Sequence, residues 1–464
     1  MVPLLSDCHR HMKNAFFIIL IAFSYTSVAD LPERRSLEEK KIQRLSQLSI
    51  EDARQRALAI HPKIAAARLR ELASKESFKV IRGNRFPVLT GNAVLVGADG
   101  DNERIAAGSG INNPIIYNRG AFGINLAWQL MDFGRTSHSL EAARLSSLAS
   151  GQAVAETKAN VALWSDSAFL DSVRAGSIKL ALDKAVEARK TMVDQIRAMV
   201  TNGLRSELDL GLAESSLAET VFLRSKAAND EMTMRLRLST LLGLPDGFDG
   251  LLIAPTFPNT ALGDINAWTK LALSSRPELR RLRFELETTK NLVKASKSEF
   301  FPVLNASAAV GSVPERHPRL EPDYLAGGLI LNIPIFNGFR TEARVQESTL
   351  LSQAAAVTLN AEEDRILREV RIAALELSNA SERFRLAQSN RDTVSKTVRL
   401  AELRLLSGSV SVAEISQAYL LSISADLNFL AARYEVDIAR SRLQYESGDP
   451  EWTQFPLGES VLSR

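Results

Sequence analysis

Arg85-Phe86-Pro87-Val88-Leu89 returns 215 positions later as Phe300-Phe301-Pro302-Val303-Leu304. Working outward from this pair, the whole chain reads as a duplication. Upstream, Ala57-Leu58 with His61-Pro62 returns at the same offset as Ala272-Leu273 with Arg276-Pro277. Downstream, Phe133-Gly134-Arg135-Thr136 is matched by Gly338-Phe339-Arg340-Thr341. Gly203-x-x-Ser206-x-x-Asp209-x-x-x-Ala213 is matched by Gly408-x-x-Ser411-x-x-Glu414-x-x-x-Ala418, and these last two pairs are 205 positions apart. A loop ten residues shorter in the second copy accounts for the change of offset. Landmarks in one order, met twice, predict repeats over residues 48–245 and 266–448, joined by a linker over 246–265. A segment over 30–47 precedes them and a tail over 449–464 follows.

Each repeat reads as a helix, two strands, a very long helix, a tight turn and another helix. No proline occurs between Pro114 and Pro245 or between Pro334 and Pro450. Proline inside a helix costs about 3 kcal/mol, so these gaps permit long helices. Periodicity supplies the positive signal. Ile366, Val370, Ala373, Leu377, Ala380, Phe384 and Ala387 step alternately by four and three. So do Ile415, Ala418, Ser422, Ala425, Phe429, Ala432, Val436, Ala439 and Leu443, and so do Ile178, Ala181, Ala185, Ala188 and Met192. This is a coiled-coil seam rich in alanine, which lets helices approach closely. A second seam, Leu182, Val186, Val193, Ile196 and Val200, runs beside the third, so that helix has two helical neighbours. From Gly134 to Thr201 the pattern predicts a helix of about 100 Å, at 1.5 Å per residue.

Four β-like segments lie between the helices. Phe122, Ile124, Leu126, Trp128 and Leu130 alternate with Gly123, Asn125, Ala127 and Gln129, a period of two. Leu325, Gly327, Leu329, Leu331 and Ile333 share one face of the counterpart, with Asn332 on the other. Residues 88–97 and 303–311 are read as strands from the repeat. All four suit a membrane-crossing strand of about 9–11 residues. The connecting loops over 98–119 and 312–323 are polar. Pro87, Pro302 and Pro334 stand at helix–strand junctions. Phe86, Phe300, Phe301 and Phe336 either anchor at a bilayer interface or pack those junctions. Four strands do not close a barrel, and an open edge facing lipid is not tolerated. Strands of this kind therefore require several copies of the chain: two supply eight strands, three supply twelve.

The chain of 464 residues is 45% hydrophobic and 24% charged, which excludes disorder and a polytopic helical membrane protein. A net charge of +3 gives no reason to expect nucleic acid. Residues 15–23 (AFFIILIAF), preceded by Lys13 and followed by Ser27-Val28-Ala29, have the layout of a secretory signal over 1–29, with Met12 an alternative start. The alternative is an N-terminal anchor, for which nine apolar residues are short. Cys8, the one cysteine, lies before the apolar run and is read as incidental. His61, His138 and His317 are scattered, and no phosphate loop is present, so neither catalysis, a metal nor a cofactor is expected.

Four features together carry a resemblance over residues 48–448: the duplicated helix start (Ala57-Leu58…Pro62, Leu273…Pro277-Glu278-Leu279), the Phe-Pro strand starts, Pro334-Ile335-Phe336-Asn337-Gly338 at a strand exit, and the paired Gly-x-x-Ser turns. The pattern resembles the TolC-like outer-membrane efflux and secretion channel family. Met131-Asp132-Phe133-Gly134 departs from the family's usual exit in the first repeat. The resemblance implies a mainly α fold with a small β part. Four strands per subunit contribute to a trimeric twelve-stranded outer-membrane β-barrel, continued by a periplasmic α-helical tunnel of long coiled-coil hairpins. It implies a passive exit channel of a tripartite efflux or type I secretion system in a Gram-negative-type outer membrane. Its partners would be its own copies, a periplasmic adaptor, an inner-membrane pump (ABC or proton-driven) and outer-membrane lipid. The alternatives are a periplasmic coiled-coil adaptor or a scaffold, but an adaptor has one hairpin flanked by β-domains, not two each preceded by a strand pair.

From the residues, Gly203 and Gly408 are read as hairpin turns needing φ > 0, with Ser206 and Ser411 as N-caps of the returning helices. The resemblance adds that these tips form the tunnel entrance and contact the adaptor. It also places an acidic constriction residue at Glu414, where three copies would make a negative ring favouring cations. The next acidic position reads Gln417, and positions that carry gate-linking tyrosine and arginine in the family read Leu405 and Val410.

Overall fold

A computed structural model describes residues 47–96, 119–244, 247–255, 264–315, 321–406 and 409–449. The predicted signal over 1–29, the segment up to residue 46, most of the first polar loop, His317, Gly408 and the tail from 450 lie outside the described residues. In chain order the elements are β1 (Gln47–Leu48), α1 (Ile50–Ile60), α2 (Pro62–Gly83), β2 (Val88–Val96), β3 (Arg119–Met131), α3 (Arg135–Thr201), α4 (Glu207–Leu241), β4 (Leu251–Leu252), α5 (Ile265–Ser275), α6 (Pro277–Lys297), β5 (Val303–Glu315), β6 (Asp323–Asn332), α7 (Arg340–Leu406) and α8 (Val412–Ser447).

The single leading helix expected in each repeat is two helices. Pro62 and Pro277 each occupy the first position of a new helix, and the residues before them, His61 and Arg276, are extended at ψ 127° and 126°. A proline ring forbids the helical conformation to its predecessor, so the break is local chemistry. The His61 ring accepts the Lys63 amide at 3.2 Å and caps α2. Ser49 and Asp52 form a capping box on α1.

Both long helices run 67 residues without interruption. In α7 the expected seam is inside: Ile366, Val370 and Ala373 are fully buried, and Leu377 and Ala380 nearly so. In α3 the second seam is the more buried, through Leu182, Val186, Val193 and Ile196 with Val200 half-buried, while in the first seam Met192 is buried, Ile178, Ala181 and Ala185 are half-buried and Ala188 is exposed. The helices form a ladder in which α4 packs on α3, α3 on α8, and α8 on α7. The outer flanks of the ladder carry exposed apolar side chains. These are Phe222, Met232 and Leu236 on α4, and Leu375, Leu386, Leu400 and Leu403 on α7.

Beside the ladder, α2 and α6 lie against α3, and α6 also contacts α7. Charged groups buried here are paired, as the cost of desolvation demands. Arg54 grips the fully buried Asp166 through two bonds of 2.9 and 2.6 Å. Arg276 bridges Glu278 at 2.8 Å and Glu446 at 2.6 Å, tying the start of α6 to the end of α8.

The four longer strands make one antiparallel sheet in the order β2-β3-β5-β6, with β2 and β6 at its edges and without a further strand partner among the described residues. One face carries Leu89, Phe122, Ile124, Trp128, Leu325, Leu329 and Leu331, all at least 40% exposed. The other is mostly small or polar, with Thr90, Asn92, Asn125, Ser307 and Gly328 in matching registers, and Val88, Val94 and Ile330 are exposed apolar side chains on it. β5 runs to Glu315, beyond the expected end at Gly311, and β6 starts at Asp323. The reason is continued pairing: Ser312 faces Asp323, and the Val313 amide donates to Pro322 O at 2.6 Å. Phe301 stacks on Phe133 at 5.7 Å and Phe336 meets Phe339 edge-on at 5.4 Å, while both remain at least half exposed. No helix among the described residues is long and apolar enough to cross a membrane.

Candidate functional site

The two hairpin tips lie at the end of the ladder remote from the sheet, because each long helix starts at a strand exit and ends at a tip. At the first tip α3 ends at Thr201, and Gly203 adopts φ +74°. The Leu204 amide then reaches back to Met199 O at 2.8 Å, and the Gly203 amide to Val200 O at 2.9 Å. This pair of bonds is a Schellman closure, which glycine accommodates without strain. Ser206 caps α4: its hydroxyl accepts the Asp209 amide at 3.2 Å, and the Asp209 carboxylate accepts the Ser206 amide at 3.2 Å.

The second tip shares the long-span bond and the capping box. The Ser409 amide donates to Arg404 O at 3.0 Å, the same long-span bond 205 positions on. Ser411 caps α8, with the Glu414 amide donating to its hydroxyl at 3.2 Å and the Glu414 carboxylate accepting the Ser411 amide at 3.1 Å. Glu414 is exposed, and one of its oxygens is engaged in this capping box. Gln417 is also exposed.

An apolar cluster joins the tips. Met192, Val193 and Ile196 of α3, Ala213 of α4, Leu405 of α7, and Val412 and Ile415 of α8 are all buried together, with Val200 and Val410 packed against them. Leu405 and Val410, the positions read as departures from a polar gate, thus serve as core. Arg205 also reaches from the first tip to the second, donating to Val410 O at 3.0 Å. Sequence reasoning missed Arg205; its signal was a basic residue inside the repeated turn where the second copy has Val410.

Arg189 was missed as well. It fills the position between Val186 and Val193 in the α3 seam, is 1% exposed, and none of its guanidinium nitrogens has a hydrogen-bond partner among the described residues. Its guanidinium lies 5.4 Å from the Tyr419 ring centre, and Tyr419 Oη donates to Glu402 at 2.6 Å. Burial lowers the pKa of Arg189 and is the main cause raising that of Tyr419. Asymmetry also marks the surface. Leu204, Leu208 and Leu212 are 73%, 72% and 41% exposed at the first tip, where the second repeat has Ser409, Ala413 and Gln417. Among the described residues no cluster of His, Cys, Asp or Glu suits a metal ion.

Comparison with known proteins agrees with this geometry. The outer membrane efflux protein BepC of Brucella suis is 23% identical over 330 residues, covering 68% of this chain and 67% of BepC. The alkaline protease secretion protein AprF of Pseudomonas aeruginosa is 24% identical over 260 residues, 53% of this chain and 52% of AprF. The chain therefore spans about two-thirds and about half of these relatives. The crystal structure of the Campylobacter jejuni CmeC outer membrane channel superposes with a TM-score of 0.75 at 17% identity, covering 86% of this chain and 85% of CmeC. The sequence profile of the outer membrane efflux protein family matches residues 53–244 and 268–448, which include the whole helical ladder and all four long strands, and the chain belongs to that family.

Proposed function

We propose that this chain is one wall segment of a passive exit duct that crosses the outer membrane and extends into the periplasm of a Gram-negative-type cell. One observation carries the reading: a four-stranded sheet open at β2 and β6 continues into a helical ladder that is apolar at both flanks, α4 and α7. An open sheet edge is not sustained in lipid, so each edge needs a partner copy. Repeats over 48–245 and 266–448 then supply two strands and one hairpin each, and three copies make twelve strands. The apolar sheet face meets lipid and the small, polar face lines water, the alternation of outer-membrane strands.

In this reading the tips with Gly203, Ser206, Gly408 and Ser411 face the periplasm and receive an adaptor, which couples the duct to an inner-membrane pump. Glu414 contributes an acidic ring at the entrance. The duct has no catalytic role. BepC is named for efflux and AprF for alkaline protease secretion, so the same wall serves an efflux or a type I secretion assembly.

The test is fractionation with crosslinking. A lysine-reactive crosslinker applied to intact envelopes should give monomer, dimer and trimer bands confined to the outer-membrane fraction. A single-copy species soluble without detergent ends the reading.

A further inference from the structure

One row of the sheet runs Asn92, Gly123, Gly311, Tyr324 across all four strands, each residue paired with the next. Residues in one row project to one face, and this row belongs to the small, polar face. Tyr324 is the one aromatic residue on that face among the described strand residues. It stands on β6, near the end of the sheet away from the helices. Its side chain does not project from the wall but runs along it. A methyl placed on Gly311 would stand 2.5 Å from Tyr324 Oη and 2.7 Å from its Cζ. A methyl placed on Gly123, one strand further, would again stand 2.5 Å from Tyr324 Oη. The phenol therefore lies flat across β5 and ends over β3, in a recess that only two facing glycines provide. The same glycines bring the strands close, since those methyls would also meet Val310 O at 2.8 Å and Phe122 O at 2.5 Å.

Glycine weakens a strand, and a facing pair in adjacent strands weakens it twice. An aromatic ring laid over strand glycines restores packing. Packing alone does not require the ring on the water-lined face, where a radial tyrosine would enter the bore. We infer that Tyr324, folded into the Gly123–Gly311 recess, is the residue that sets the free width of the outer exit, keeping it open to bulky cargo. This inference rests on the exit-duct reading, which makes the polar face the lumen. With copies of the chain around an axis, every Tyr324 lies at one level. Laid flat they leave the passage clear, and lifted they converge on it.

The test uses the full chain in intact cells, in a Cys8→Ser background carrying Ser307→Cys. Ser307 faces the same side as Tyr324, four rows nearer the helices. The readouts are the labelling rates by a small and by a polymer-linked water-soluble maleimide added outside. Tyr324→Ala should leave both rates close to those of the parent, because the ring is already out of the way. Gly311→Ala should slow the bulky reagent several-fold more than the small one, and adding Tyr324→Ala should restore it. If Gly311→Ala does not assemble, Tyr324→Trp carries the test, since an indole exceeds the recess and should slow the bulky reagent in the same selective way. Equal bulky-reagent rates in the parent, Gly311→Ala and Tyr324→Trp would overturn the inference while leaving the duct intact. So would a several-fold gain from Tyr324→Ala alone. Failure of both reagents to label Ser307→Cys in the assembled parent would instead show a dry polar face, and would remove the exit-duct reading together with the inference.

Discussion

Glu414 holds the Ser411 amide at 3.1 Å while remaining exposed, so its capping and its charge are separable by substitution. Glutamine at the third helical position preserves a capping box without charge, whereas alanine removes both. Glu414→Gln should therefore keep the thermal stability of the assembled protein. Glu414→Ala should lose about 0.5–1 kcal/mol per subunit, because it removes the carboxylate half of the box while the Ser411 hydroxyl still accepts the amide of residue 414. If Glu414 forms a negative ring, both variants should lose cation preference equally, as read from reversal potentials across a planar bilayer under a salt gradient. A Glu414→Gln channel with the parent's cation preference would leave the side chain as a helix cap only.

At the scale of elements, what the chain disclosed in advance was what short-range chemistry dictates. The proline-free stretches give helices of 67 residues, the Gly-x-x-Ser spacing gives the Schellman turn at Gly203 and a capping box at each tip, and period-two alternation gives the apolar sheet face. Other features depend on which elements meet, and local pattern does not contain them. The Arg205 bond to Val410 joins tips 205 residues apart, the Tyr324 recess needs three strands in register, and β5 runs on because Pro322 is there to accept from Val313. Arg189 stands between these cases. Its place in the seam is local, but its burial arises from α8 closing over α3, with Tyr419 against its guanidinium. A buried donor without a partner costs on the order of 1–3 kcal/mol, more when charged. Methionine keeps the unbranched stem and removes the unpartnered nitrogens. Arg189→Met should thus raise the thermal unfolding midpoint of the detergent-solubilised protein, corresponding to a gain on the order of 1–3 kcal/mol per subunit. A lowered midpoint would mean that the assembled duct supplies this arginine with hydrogen bonds.

At the scale of the whole molecule, the repeats are alike in wall and unlike at the entrance. Both tips carry the same long-span bond and the same capping box, yet only the first exposes Leu204, Leu208 and Leu212, which step by four from the turn into the start of α4. Exposed leucines grouped at the end of a helical hairpin suit a surface that another protein covers. The core beneath does not need them, because Met192, Val193, Ile196, Leu405 and Ile415 close it already. In the proposed duct this end faces the adaptor, and three copies present three first tips with Leu204, Leu208 and Leu212 alternating with three second tips that carry Ser409, Ala413 and Gln417 at those positions. Burying a leucine side chain contributes roughly 1.5–3 kcal/mol. Leu204→Ser with Leu208→Ser should therefore reduce adaptor retention at least about ten-fold, since each 1.4 kcal/mol is a factor of ten in affinity. Retention is measured as adaptor recovered with the outer-membrane oligomer after mild solubilisation. The crosslinked ladder should not change, because neither residue belongs to the buried cluster. Undiminished adaptor recovery from the double variant would move the docking surface away from the first tip.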